Sequence, residues 1–270
     1  MVYGVIVAGG IGSRMAADKP KQFLMLKDKP IIVHTVEKFY KHDKISKVIV
    51  LVPNDWVEYT EELMDEYFGD GNGVCQGEES ASANGVSASV DGVSASANGV
   101  SASADSASAS KIIVISGGET RNETIMNSIN YIEEKFGISD ETIIVTHDSV
   151  RPFVSYKIID DNIQAAAEFG AVTTAIGATD TILECSDEGI IERVPDRAHM
   201  YQCQTPQTFK ALRLREMYLG LSDEKKAILT DATGILMDAG DKVHVVMGDK
   251  KNIKITVPSD MKVAEVFLDD

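Results

Sequence analysis

Three stretches of this sequence bring glycines and polar side chains to the ends of apolar runs, and the first combines residue types and spacings suited to holding phosphate. In Val5-Ile-Val-Ala-Gly-Gly-Ile-Gly-Ser-Arg-Met15 an apolar run from Val2 to Ala8 stops at Gly9, Gly10 and Gly12. Arg14 follows, and Pro20-Lys21-Gln22-Phe23-Leu24 adds Lys21. Glycines let a bound phosphate approach bare N–H groups, and Arg and Lys add full positive charge, so this loop suits a triphosphate better than an apolar ligand. A second glycine pair opens Gly117-Gly-Glu-Thr-Arg-Asn-Glu-Thr124, directly after the apolar run Lys111 to Ile115. The third stretch, His147-Asp-Ser-Val-Arg-Pro152, follows the apolar run Thr142 to Thr146. A dinucleotide fingerprint fits the first loop less well, because its third glycine position is Met15 and no acidic residue ends the next strand. A Walker loop fails for want of Gly-Lys-Ser/Thr.

The elements that must position these loops alternate between strand and helix. Pro30 to Tyr40 reads as a helix with proline in its first turn and Ile32, Val36, Phe39 and Tyr40 on one side. Lys47 to Val52 reads as the second strand, and Asn54 or Asp55 is placed to cap a helix running through Trp56, Leu63 and Tyr67 toward Gly69. Ile125, Ile129 and Ile132 give the helix after the second glycine pair its apolar face, and Ala171 to Ile176 is a further strand. Thr181 to Cys185 and Gly189 to Val194 read as a hairpin around Ser186-Asp-Glu-Gly189. Helices around Phe209 to Leu219 and Ala232 to Ala239, a strand Lys242 to Met247 and a last helix from Pro258 through Val263, Val266 and Phe267 complete the chain. This rhythm predicts an α/β fold with a mainly parallel sheet and right-handed crossovers, in which three strand ends aim polar groups at one crevice.

Composition narrows the class. A chain of 270 residues, 44% hydrophobic, can bury a full core, and no run approaches membrane-spanning length or the pattern of a secretory signal, so a cytoplasmic location is expected. A formal net charge of −16 argues against nucleic acid or an anionic membrane as partner, and requires that any anionic substrate be held by a local cluster of Arg and Lys. Cys75, Cys185 and Cys203 lack metal spacing and read as unpaired reduced thiols. His34 and His199 have no second ligand at metal spacing.

The tract from Glu78 to Ser110 repeats Gly-Val-Ser-Ala-Ser from Gly85, Gly92 and Gly99. It reads either as a small β-meander turning at Asp91-Gly92 and Asn98-Gly99, or as a flexible surface insertion whose small side chains bury too little to offset the ordering entropy. The balance favours the insertion.

Together the glycine loop with Pro20 to Leu24, the segment 117–124 and His147 to Pro152 resemble the sugar-alcohol phosphate cytidylyltransferases. Asp180-Thr181, Asp196-Arg197, Tyr201-Gln-Cys-Gln-Thr-Pro-Gln207, Leu229-Thr-Asp-Ala232 and Asn252-Ile-Lys-Ile-Thr256 extend the resemblance along nearly the whole chain outside the repeats. It implies a single Rossmann-like domain of the nucleotide-diphospho-sugar transferase type over 1–270, with the repeat insertion at 78–110 and a projecting β-hairpin dimerisation arm at 178–205. The implied reaction joins CTP to D-ribitol 5-phosphate, giving CDP-ribitol and pyrophosphate. 2-C-methyl-D-erythritol 4-phosphate is the alternative acceptor; Thr146 to Phe153 and Arg197 to Gln207 look more like the ribitol enzymes, with Cys203 in place of an expected glycine. By the same resemblance, Arg14, Lys21, Arg197 and Lys254 are the catalytic cations. Val7, Ala8, Gly9, Gly10, Gly118, Glu119, Thr120, Arg121, Asn122, Glu123, Thr124 and Ser149 hold CTP. Thr181, Arg197, Lys254 and Thr256 receive the acceptor, Thr181 and Arg197 doing so across the interface of a homodimer. Mg²⁺ accompanies the triphosphate, with Asp148 as a carboxylate near it. Local sequence alone would make Arg14, Arg197 and Lys254 surface ion-pair residues and would equally make Asp148 the cap of a turn before Pro152. A non-enzymatic nucleotide-binding regulator is the rival from another class.

Overall fold

The computed structural model describes residues 1–10, 19–69, 110–229 and 231–269. Arg14, Gly12, Met15, Cys75 and Thr230, and all of the repeat tract but Ser110, lie outside them. Strand β1 (Val2–Val7) alternates between two apolar layers, with Tyr3 and Val5 in one and Ile6 in the other. Strand β4 (Lys47–Val52) does the same with Ile49 and Leu51 against Val48 and Val50. Both faces are therefore buried, as a parallel sheet requires. Between these strands lie a 3₁₀ helix (Lys21–Phe23), a short ribbon of β2 (Met25–Leu26) with β3 (Lys29–Pro30), and helix α1 (Ile31–Tyr40).

After β4 come α2 (Val57–Phe68), β5 (Ile112–Ser116), α3 (Arg121–Phe136), β6 (Ile143–Asp148), α4 (Tyr156–Phe169) and β7 (Ala171–Gly177). A small antiparallel hairpin, β8 (Glu184–Cys185) with β9 (Ile191–Arg193), projects next. Strand β10 (Tyr201–Lys210), helices α5 (Ala211–Leu219), α6 (Asp223–Ile228) and α7 (Ala232–Asp238), strand β11 (His244–Met247) and helix α8 (Pro258–Asp269) follow. The seven-stranded sheet runs β11-β7-β10-β6-β1-β4-β5, with β10 antiparallel to both neighbours and every other pair parallel. Helices α1, α2 and α4 cover one face through Val36, Leu63 and Ile159; α3, α5 and α7 cover the other through Ile129, Leu214 and Ile235. Each such side chain removed from water contributes about 1.5–3 kcal/mol. A third cluster, Leu26, Ile31, Val150, Ile255 and Ala264, ties the C-terminal segment and α8 to the ribbon and α1.

The α/β class, the mainly parallel sheet and the hairpin agree with expectation, and several details do not. Residues Tyr201 to Lys210 form a sheet strand where a helix was expected from Phe209 and an arm to 205, so the arm's last five expected positions, Tyr201 to Thr205, belong to β10. This strand is hard to read because its inward side chains are polar and find partners: Gln207 donates to Asp231, Thr233 and Thr173, and Thr208 donates to Asn162. Pro206 fits within it because the pairing with β7 shifts register between Cys203 and Gln207, a bulge that needs no N–H there. Neither Asn54 nor Asp55 caps α2; Pro53 instead starts a 3₁₀ helix (Asn54–Trp56) that leads into it. Strand β6 continues to Asp148, two residues beyond its apolar run, because His147 and Asp148 pair with Ile6 and Val7 of β1.

The polar contacts inside the sheet have a measurable weight. Asn162 of α4 is fully buried, donates to Thr174 Oγ1 at 2.9 Å and accepts from Thr208 Oγ1 at 3.3 Å, joining α4 to β7 and β10. Asn162→Ala leaves both hydroxyls without this partner, so it should lower unfolding free energy by about 2–3 kcal/mol with the urea slope unchanged. Urea denaturation followed by circular dichroism measures this directly.

Candidate active site

The carboxyl ends of β1, β5 and β6 open into a cavity of about 280 Å³. Val7, Gly9 and Gly10 form one wall, and Gly118, Glu119, Thr120, Arg121 and Thr124 form another. Lys21, Asp148, Ser149 and Lys254 close it. The first wall is fixed by the sheet: Ala8 N–H donates to Leu51 O at 2.8 Å, and Ser149 N–H donates to Val7 O at 3.1 Å. The second is the start of α3, set by a capping box in which Thr120 accepts from Glu123 N–H and the Glu123 carboxylate accepts from the N–H groups of Thr120 and Glu119. Its Thr-x-x-Glu spacing is a helix-start signal legible in the sequence. Gly118 is required there, because a Cβ would lie 2.5 Å from Glu123 Cβ and 3.0 Å from Glu123 carbonyl carbon.

Lys21 is buried against the C-terminal segment, and its ammonium donates to Ile255 O at 3.0 Å. Beside it, Gln22, not anticipated as a site residue, donates to Ala8 O at 2.7 Å and lines the cavity. Three expected nucleotide residues do not line it. Ala8 is backbone support, Asn122 turns away to the Leu229 carbonyl, and Glu123 is engaged in the capping box.

Asp148 is the electrostatic centre. Its side chain is 8% exposed, and Arg121 Nη1 lies 2.5 Å from Oδ1. Lys254 Nζ lies 2.9 Å and Arg151 Nε 3.5 Å from Oδ2. Burial alone would raise this carboxyl's pKa, but Arg121, then Lys254 and Arg151, hold it well below the usual carboxylate range. Arg151, to which the local sequence gives no role, is itself buried and donates to Asn252 O at 2.8 Å. Neighbouring His147 is fully buried, and burial pushes its pKa from 6.5 down to about 4. Its Nε2 faces Arg151 O at 3.1 Å, an atom that only accepts, so the ring is neutral with its proton on Nε2.

A second cavity, about 480 Å³, lies on the β7–β10 side of Lys254, which lines both. Arg151, Lys250, Thr179, Gln202, Gln204 and Asp260 supply polar groups, while Ile176 and Ile253 supply apolar ones. Of the residues expected to receive an acceptor, Lys254 alone lines this cavity among the described residues. Thr256 lies behind it, its hydroxyl donating to Lys254 O at 3.1 Å. Arg197, in a 3₁₀ helix (Arg197–His199), is exposed and donates to Thr179 O at 3.0 Å, one residue from the rim; Thr181 is exposed at the root of the hairpin. Cys185 and Cys203 are free thiols.

Among the described residues no group of three or more His, Cys, Asp or Glu side chains could hold a metal ion. Among the described residues Asp148 is the carboxylate that Arg121, Arg151 and Lys254 share, and both its oxygens already accept from them. This donor set suits a cation brought in on phosphate oxygens, with Asp148 as a single protein contact, better than a resident ion.

A mainly parallel sheet with glycine-rich strand ends and cations at its crest defines an α/β protein that handles nucleotides. The chain belongs to the IspD family, described as 2-C-methyl-D-erythritol 4-phosphate cytidylyltransferase, whose model matches residues 2–100 and 80–270. Its members are CTP-dependent cytidylyltransferases, and the chain is accordingly a nucleotidyltransferase. The fold is similar to that of 4-diphosphocytidyl-2C-methyl-D-erythritol synthase from Anaerococcus prevotii, at 22% identity over 100% of this chain and 96% of that one, with TM-score 0.71. It is also similar to the 2-C-methyl-D-erythritol 4-phosphate cytidylyltransferases of Francisella tularensis (25% identity, 98% of each chain, TM-score 0.68) and Thermus thermophilus (21% identity, 100% of each chain, TM-score 0.64). No described helix is long and apolar enough to cross a membrane.

Two outcomes follow from this geometry. Gly118→Ala should displace the first turn of α3 and weaken CTP binding at least about tenfold, read by titration calorimetry. Because the unfolded state takes a proton on His147 near pH 6.5 and the folded state only near 4, stability is complete above 6.5 and falls as pH drops through that window. The loss amounts to roughly 3 kcal/mol. Thermal melts of the protein and of His147→Gln from pH 7 to about 4.5 should show a steeper decline for the parent chain.

Proposed function

We propose that the chain transfers the cytidylyl group of CTP to D-ribitol 5-phosphate. A phosphate oxygen of the acceptor attacks the α-phosphorus, the bond to the bridging oxygen breaks, and CDP-ribitol and pyrophosphate result. The attacking oxygen is already anionic near neutral pH, so the step needs in-line placement and charge neutralisation in place of a base or nucleophilic side chain. Lys21 would face the triphosphate together with Arg14. The backbone of Val7 to Gly10, the segment Gly118 to Thr124 and Ser149 would hold the nucleotide. Divalent magnesium on the triphosphate, near Asp148, would supply further neutralisation of its oxygens.

The observation that carries this reading is Lys254, whose ammonium borders both cavities and so can neutralise an acceptor phosphate next to the α-phosphate. The polar groups of the second cavity favour an unbranched polyol, supported by the sequence likeness at Arg197 to Gln207. The alternative acceptor, 2-C-methyl-D-erythritol 4-phosphate, is favoured by the family's description and by Ile176 and Ile253, which would accommodate its methyl branch. Pyrophosphate release from CTP with each acceptor separates them: kcat/KM should be higher for ribitol 5-phosphate, and a clear preference for the methylerythritol compound overturns this choice. Release with neither would favour a nucleotide-binding regulator.

The active unit in this proposal is a homodimer in which Thr181 and Arg197 reach the neighbour's acceptor site. In support, Leu183, Ile190, Ile191, Val194 and Tyr201 on and beside the hairpin are each at least 48% exposed, an apolar surface suited to a second copy. Mixed dimers of Arg197→Ala and Lys21→Ala chains should regain part of the activity that each lacks alone. Failure of every mixture to recover turnover would rule out shared sites.

A further inference from the structure

Behind the cations lies a buried polar chain that touches neither cavity through His147. Thr205 of β10 is 5% exposed, and its hydroxyl accepts from Asp148 N–H at 3.1 Å. The same hydroxyl lies 3.0 Å from His147 Nδ1. Since His147 uses Nε2–H to donate to Arg151 O, Nδ1 has only a lone pair to offer, and Thr205 must be the donor in this bond. One hydroxyl is thereby fixed in direction at both ends. The Thr205 carbonyl in turn accepts from fully buried Asn252 at 2.8 Å, and Asn252 O accepts from Arg151. Through these bonds β10 grips the end of β6 and the segment that carries Lys254.

We infer that Thr205 and His147 are positioning residues that hold Asp148, and through it Arg121 and Lys254, in the placement that keeps the nucleotide and acceptor cavities in register. Asp148 has a carboxylate oxygen for each side, with Oδ1 on Arg121 of the first cavity and Oδ2 on Lys254, which borders both. Its direction depends on the backbone that Thr205 anchors. Alternatives to this anchor are poor: Thr205 and His147 are buried, and an Asp148 N–H without an acceptor would draw the strand end away from its present position. The role rests on the transferase reading, since register matters only if two substrates meet across Lys254.

The test compares Thr205→Val, which keeps the shape and removes the hydroxyl, with Thr205→Ser, which keeps the hydroxyl. Steady-state pyrophosphate release from CTP and the acceptor preferred by the parent chain is measured on each variant. Thr205→Val should raise KM for both substrates and lower kcat roughly tenfold, and Thr205→Ser should stay within about threefold of the parent. A merely structural role would lower the active fraction, and so apparent kcat, while leaving both KM values unchanged; that result overturns the inference, as does a loss in Thr205→Ser equal to that in Thr205→Val. If Thr205→Val does not fold, His147→Gln carries the test instead, because its Nε2 can still donate to Arg151 O while no ring nitrogen remains at the Nδ1 position to accept from Thr205. Absence of turnover in the parent chain would contradict the transferase reading itself, which distinguishes the two failures.

Discussion

The pairing of one buried carboxylate with several cations is the constraint on which the site depends. Asp148 lies at the end of β6, where the strand passes from apolar sheet to open crevice, and it holds Arg121, Arg151 and Lys254 within 3.5 Å. These cations come from the start of α3, the turn after β6 and the segment before α8, three separate parts of the chain that meet at this carboxylate. Removing a partner from so buried a group would cost about 3–5 kcal/mol, so the arrangement is both an electrostatic feature and a structural joint. It also reconciles a net charge of −16 with anionic substrates: the acidic excess is spread over the chain, while the crevice gathers Lys21, Arg121, Arg151, Lys250 and Lys254.

The fold supplies the placement. A sheet buried on both faces leaves little freedom at its strand ends, so Gly9, Gly10 and Gly118 present backbone from fixed positions. The single antiparallel strand β10 brings Thr205 and Gln204 beside β6 and β7, which is how residues near the hairpin reach the second cavity. The Leu26, Ile31 and Ile255 cluster brings the C-terminal segment over the Lys21 loop, and this explains how Lys21 and Lys254, far apart in sequence, border one cavity.

Much of this was legible in the residues because apolar runs end at punctuating glycines. Val2 to Ala8, Lys111 to Ile115 and Thr142 to Thr146 carry their own strand signal; Gly9, Gly10 and Gly117 mark where the first two deliver a loop, and His147-Asp148-Ser149 marks the third. What remained hidden was polar and paired across long distances. Strand β10 looks like a loop in Gln202 to Thr208, since nothing local shows that Asn162, Thr173, Asp231 and Thr233 will satisfy those side chains. Arg151, Gln22 and Asn252 gained roles for the same reason, each through a backbone carbonyl supplied by a remote segment. Among the described residues Arg197 and Thr181 stand near the hairpin root and line neither cavity, so their sequence likeness is not matched by a place in the crevice.

The most direct measurement of the central claim is the steady-state kinetics of Asp148→Asn, an isosteric change that removes the charge and leaves the strand end in place. With folded variant protein, kcat/KM for both CTP and the polyol phosphate should fall together by roughly 100-fold, because Arg121 and Lys254 lose the carboxylate that orients them. Near-parent kcat/KM for either substrate would contradict an active site organised around Asp148.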